Sequence, residues 1–171
     1  MDTPKESTMK LIKYPDPILD IQSEPILETE LEYIKSIVPD MAKIMKDNNG
    51  IGLAGVQVGI LKTFCIMYNQ STQGIDLIIN PVILNQDSEM IKGEEGCLSL
   101  PLFWESIERP LEVTAEFMEE NWQKVRAVFY GLEARCLIHE LEHMIGQPIH
   151  NLVSPMKKHM WEKKLIKKGL L

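Results

Sequence analysis

The sequence predicts an α+β fold built on antiparallel sheets, and three observations carry that prediction. Helical periodicity dominates between residues 29 and 50 and returns after residue 133. Four runs rich in β-branched and aromatic residues, at 63–68, 77–84, 111–118 and 125–130, lie grouped between the helical regions instead of alternating with helices. No internal repeat, low-complexity tract or long Gly/Ser/Pro linker divides the 171 residues, so the chain, 1–171, is read as a single domain.

Residues 11–19 read as an extended arm ending in a turn, because Pro15 and Pro17 forbid a continuous helix or a central strand. A helix follows from Thr29. Thr29 and Glu32 make a capping-box pattern, and Leu31, Ile34, Val38, Met41 and Met45 recur on one face until Asn48, Asn49 and Gly50. Pro39 lacks a donor N–H and predicts a kink, or a second helix starting there. The segment 50–59 (GIGLAGVQVG) is too glycine-rich for a helix and, read alone, is a flexible loop before a strand. The strands expected next are TFCIMY (63–68), LIINPVIL (77–84), LEVTAEFM (111–118) and VRAVFY (125–130), with the polar 119–123 as a hairpin turn between the last two. A helical pattern spans 133–145, and an amphipathic stretch spans 155–168 with Met156, Met160, Leu165 and Ile166 on its apolar side.

Composition narrows the function classes. Eighteen Lys and Arg against 25 Asp and Glu leave a net charge of −7, so no basic footprint for sequence-specific nucleic-acid binding is expected and any polyanion contact has to be local. No apolar run nears the ~18 residues of a membrane span, and residues 1–7 lack the apolar stretch of a signal peptide. The expected compartment is the cytoplasm. Three widely spaced cysteines, Cys65, Cys97 and Cys136, make no disulfide framework and read as core residues, a nucleophile or metal ligands.

The strongest local signal is His139-Glu140-Leu141-Glu142-His143. Histidines four apart project from one helix face, so both imidazoles reach a single divalent ion, with Glu140 beside them to handle the proton of a bound water. The bland alternative is a solvated helix with two surface histidines. A third ligand is needed, and Cys97, Cys136 and His150 are candidates. Cys136 lies about 10.5 Å along the helix from His143, too far for both to close a tetrahedral site, and reads as a core or pocket-wall residue. Cys65, in an apolar run, reads as a buried small hydrophobe. A metzincin pattern requires a histidine six residues after His143, but that position is Ile149 and His150 comes one too late. Cys97 sits in GEEGCLSLP (93–101), which reads as irregular backbone held close to something, and Gln57 in the glycine-rich segment is able to donate to an oxyanion.

Taken together and in order, GIGLAGVQ (50–57), EGCLS (95–99) and IHELEHMIG (138–146) resemble the peptide deformylase motifs GxGLAAxQ, EGCLS and QHExDHLxG, and Pro15-Asp16-Pro17-Ile18-Leu19 looks like that family's opening. The resemblance implies antiparallel sheets packed around a central HExxH helix, with an N-terminal and a C-terminal helix. It implies Cys97, His139 and His143 as metal ligands, Glu140 as general acid and base, and Gln57 with the Leu98 backbone N–H as oxyanion donors. It further implies Ile51, Gly52, Gly96, Leu132 and Cys136 as substrate-binding residues and N-formylmethionyl nascent peptides as substrates. The implied ion is Fe2+, although one thiolate and two imidazoles also suit Zn2+, Ni2+ or Co2+. Departures stand at Gly55 (family Ala), Ile138 (Gln), Glu142 (Asp) and Met144 (Leu), and Arg135, one turn before His139, is placed to intrude on the pocket. Because Ile138 and Glu142 flank the ligands, a catalytically impaired, deformylase-like binding protein is the alternative reading. The stretch from Lys157 onward carries six lysines against Glu162, net +5 beside −12 for the remainder, which suggests ribosome contact through the C-terminal helix.

Overall fold

The computed structural model describes residues 9–171; the opening segment 1–7, read above as lacking an apolar stretch, lies outside them. In chain order the elements are α1 (Leu31–Asp47), β1 (Gly52–Ala54), β2 (Phe64–Asn69), β3 (Gly74–Gln86), β4 (Met90–Cys97), β5 (Leu100–Pro110), β6 (Glu112–Met118), β7 (Lys124–Tyr130), α2 (Leu132–Met144) and α3 (Pro155–Lys167). Antiparallel pairing joins β1-β2-β3-β6-β7 into a five-stranded sheet and β4-β5 into a separate ribbon.

Helix α2 is sandwiched in the middle. Its Ala134, Cys136, Leu137 and Met144 pack on Cys65, Ile78, Ala115 and Phe117 of the large sheet, while α1 lays Ile34, Met41 and Met45 over Phe64, Ile66 and Ile79 on the opposite face. Alternate residues of β2 therefore enter two different cores, which is why 63–68 is a continuous apolar run instead of an alternating one. Strand β6 alternates instead, with Val113, Ala115 and Phe117 buried between half-exposed neighbours.

Three expectations are corrected. Thr29 does not cap α1: a short 3-10 turn, Glu28–Glu30, leads in, and the Glu30 carboxylate accepts the Leu27 N–H at 2.8 Å. No second helix begins at Pro39, because α1 runs through it, held by its buried apolar face. The segment 93–101 is strand through Cys97 followed by a tight turn, and β4 and β5 were not expected at all, since Gly, Glu and Pro give them little intrinsic β-propensity. Within the loop 50–59, residues Gly52–Ala54 form β1 on the edge of β2, and Gly55–Val58 make a 3-10 turn. Gly55, a departure from the family motif, is explained by Phe64: a Cβ there would lie 2.5 Å from the ring. The N-terminal arm crosses the same region, with Ile12 N–H donating to the Gln57 carbonyl and Tyr14 N–H to the Ser99 carbonyl, both at 2.8 Å.

Candidate metal centre

Gly131, with φ 59, turns the chain from β7 into α2, whose i, i+4 spacing brings the His139 and His143 rings to 5.0 Å between centroids. The end of β4 delivers Cys97 to the same point: its Sγ lies 3.1 Å from His143 Nε2, and one ligand atom from each of Cys97, His139 and His143 lies within 4.8 Å of the others. Metal–ligand bonds of 2.0–2.3 Å separate tetrahedral donors by about 3.5 Å, so this soft sulfur and two imidazoles fit one divalent ion. His150, the other candidate, is outside this group. It is buried against Tyr14 and Trp161, at 5.2 and 5.8 Å between ring centroids.

A buried ionic network holds His139 in place. Glu95 Oε2 faces His139 Nδ1 at 3.2 Å, and the same carboxylate accepts from Arg109 Nε (2.7 Å), Arg109 Nη2 (2.9 Å) and Arg135 Nη1 (2.7 Å). Arg109 also binds both oxygens of Glu142, Nη2 at 2.8 Å. Burial alone raises the Glu95 pKa, but Arg109 and His139 outweigh it and hold the carboxyl down at about 2. Glu142 thus bears on His139 through Arg109 and Glu95, whereas Ile138 packs beside the core under α2. Arg135 lines the cavity, tied to Glu95 and to the carbonyls of Ile91, Gly93 and Ile107. Sequence reasoning missed Glu95 and Arg109. The available signal was composition: the chain has fifteen lysines but only Arg109, Arg126 and Arg135 as arginines, and two of these three converge here.

Glu140 is buried, and burial pushes its pKa up to about 7. Its Oε2 has no hydrogen-bond partner among the described residues, an acceptor left open beside the ligands. Strand β1 presses against it: a Cβ on Gly52 would lie 2.4 Å from Glu140 Oε1 and 2.6 Å from Cys136 Sγ, so only glycine fits. Gln57 is fixed by its own amide, Oε1 accepting from Ala54 N–H at 2.9 Å, which turns Nε2 toward Ser99 Oγ (3.1 Å) and Cys97 Sγ (3.7 Å). Leu98 packs under Gly50 in the turn after Cys97.

Gln57, Cys97, Leu98, His139 and Glu140 border one cavity of about 640 Å3, lined also by Ile51, Gly52, Gly96, Leu132 and Cys136, with His143 buried behind it. The Cys136 thiol, its pKa pushed well up by burial, serves as wall. An aliphatic pocket, a three-ligand site and a carboxylate with raised pKa together suit hydrolysis of a carbonyl bond next to an apolar side chain.

Comparison with known proteins points the same way. The family model described as polypeptide deformylase matches residues 8–159. The peptide deformylase of Thermodesulfovibrio yellowstonii is 33% identical over 159 residues, 91% of this chain and 95% of that one. The peptide deformylase of Finegoldia magna is 39% identical over 131 residues, 77% of this chain and 80% of that one. Among solved structures, peptide deformylase from Ehrlichia chaffeensis in complex with actinonin superposes with a TM-score of 0.86 at 32% identity, covering 95% of this chain and 98% of that one. A Met-Ala-Ser-bound class I type b peptide deformylase from Acinetobacter baumannii gives 0.77 at 30%, covering 83% and 96%.

Proposed function

The chain belongs to the polypeptide deformylase family, and on that premise we propose how its own residues carry the reaction. The reaction is hydrolysis of the N-formyl group from newly made peptides, and the family is metal-dependent. A binding-only reading finds no support in these relatives.

Cys97, His139 and His143 would hold a divalent ion, which when bound would supply Lewis acidity for hydrolysis of the formyl group. The N-terminal side chain, methionine, lies in the pocket walled by Ile51, Leu132 and Cys136, and the peptide backbone runs past Gly52 and Gly96, which line the same cavity. Glu140, through its open Oε2, takes a proton from water as the oxygen attacks the formyl carbon. The oxyanion that develops accepts hydrogen bonds from Gln57 Nε2 and the Leu98 N–H. Glu140 then gives its proton to the amine as the C–N bond breaks, leaving formate and a free methionine amine. A pKa near 7 suits both halves of that transfer. The observation that carries this reading is the convergence of three ligand atoms within 4.8 Å beside an unpartnered carboxylate oxygen. Formate release from formyl-Met peptides by protein loaded with Fe2+ without oxygen tests it; intact substrate overturns it.

Two finer assignments follow. The resident ion is Fe2+ by resemblance, and metal analysis of anaerobically purified protein checks it. The reaction takes place in the cytoplasm, which keeps Cys97 reduced, at the ribosome. Lys163, Lys164, Lys167 and Lys168 are exposed on and just after α3 and make no ion pair among the described residues, whereas Lys157 binds Glu105. Reversing those four to Glu is expected to abolish salt-sensitive cosedimentation with ribosomes and leave dipeptide turnover intact; unchanged cosedimentation removes the docking role. No helix among the described residues is long and apolar enough to cross a membrane.

A further inference from the structure

The two faces of β4 have different neighbours. Positions 93, 95 and 97 face α2: the Cβ direction of Gly93 meets the Arg135 guanidinium at 2.9 Å, Glu95 bonds His139, and Cys97 contacts His143. Gly96 faces the other way, and its missing Cβ would touch the Trp104 indole at 3.0 Å. Trp104, directly across the ribbon from Gly96, covers one position before a metal ligand yet is 68% exposed. Leu102, two residues earlier, is also exposed and holds a left-handed backbone with φ 60, a conformation that side-chain-bearing residues rarely adopt and that glycine would meet without strain. Phe103 between them is buried, so the exposed pair is not a stretch of loose chain. Both line the cavity that holds Cys97 and His139.

We propose that Leu102 and Trp104 form an apolar shelf that takes the side chain of the second residue of the formylated peptide, so that the chain selects substrates with a large apolar or aromatic residue there. The proposal rests on the deformylase reading. Among the described residues β4 pairs only with β5 and β1 only with β2, so each presents a strand edge to the cavity that both line. An extended peptide lying along such an edge sends successive side chains to opposite faces. Its first side chain enters the α2 face, between Leu132 and Cys136. Its second therefore emerges on the Gly96 face, where the indole lies over the strand. The glycine lets the indole lie close to the peptide path, and the strained Leu102 extends the apolar surface outward.

The test compares formyl-Met-Phe-Ser with formyl-Met-Ala-Ser on the metal-loaded enzyme. Wild type is expected to favour the Phe peptide by about tenfold in kcat/KM, through KM, the scale of one aromatic contact. In Trp104→Ala that ratio collapses toward one. Leu102→Gly is expected to lower the ratio while raising Tm, a combination that a merely structural residue would not give. Equal turnover of the two peptides by wild type, or an undiminished ratio in Trp104→Ala, overturns the shelf. Failure to release formate from either peptide overturns the deformylase reading instead.

Discussion

Two buried regions of this molecule hold histidine, and they solve its burial in opposite ways. Around α2, His139 is bound to a carboxylate that two arginines saturate, and its ring is aimed at Cys97 and His143. Beneath α3, His150 is more deeply buried, but neither ring nitrogen has a hydrogen-bond partner among the described residues, and its neighbours are the rings of Tyr14 and Trp161. Burial alone therefore does not mark a functional histidine. What marks one is convergence: a second ligand atom in reach, with a carboxylate on Nδ1 for His139 though none for His143.

The sharpest way to break the contrast is to remove ligands. Cys97→Ala or His143→Ala is expected to abolish stoichiometric metal binding, because each deletes one of three protein ligands, whereas Cys136→Ala and His150→Phe leave it intact. Metal content after gel filtration reads this directly. A site emptied by Cys136→Ala and filled in Cys97→Ala would reverse the assignment. Next in size, Glu140→Ala is expected to retain the ion and lose ~10²- to 10⁴-fold in kcat, because in the proposed reaction it moves protons without ligating. Gln57→Leu is expected to cost ~10²-fold or more in kcat with little change in metal content.

How much of this contrast was legible in the sequence follows from what each part depends on. The i, i+4 histidines and Glu140 follow from helix periodicity, and β2, β3, β6 and β7 from runs of β-branched residues. Gly55 and Gly52 stand out only once Phe64 and Glu140 are seen to fill the space of their missing side chains. Strands β4 and β5 were invisible because their stability is tertiary. Arg135 ties three of their carbonyls to α2, and Arg109 on β5 clamps Glu95 on β4 to Glu142 on α2. Contacts spanning 14 to 44 residues leave no local period to read.

That network invites a test of intermediate size. Glu95→Gln leaves Arg135 without a carboxylate partner and Arg109 with Glu142 alone, so a loss on the order of 2 kcal/mol in stability is expected, together with a ~10- to 100-fold loss in metal affinity. The sign in pH follows from the carboxyl held at about 2 against an ordinary 4.5: wild type keeps this stability above pH 4.5 and loses it as pH falls toward 2, and the variant loses that dependence. Acid-induced unfolding followed by circular dichroism separates the two; coincident curves for wild type and variant would remove the network's stabilising role.

The smallest effect belongs to His150. Burial first, and then Lys158, lower its pKa to about 4, while Asp20 and Glu162 act weakly in the opposite sense and Tyr14 and Trp161 contribute uncharged rings. A folded pKa below the unfolded 6.5 means that the unfolded chain binds the extra proton first. Stability is therefore full above pH 6.5 and falls as pH drops toward 4, by about 2 kcal/mol at pH 5. In a domain of this size that is a Tm decrease of roughly 4–8 °C between pH 7 and pH 5. His150→Phe keeps a ring in the aromatic cluster and removes the proton site, so this portion of the pH dependence is expected to vanish in the variant. The Glu95 carboxyl titrates only below pH 4.5, but the buried Glu140 and His143 of α2 also change their contributions between pH 7 and pH 5, so the difference between variant and wild type is what isolates His150. A variant that tracks wild type between pH 7 and pH 5 would show that His150 is not the group being protonated.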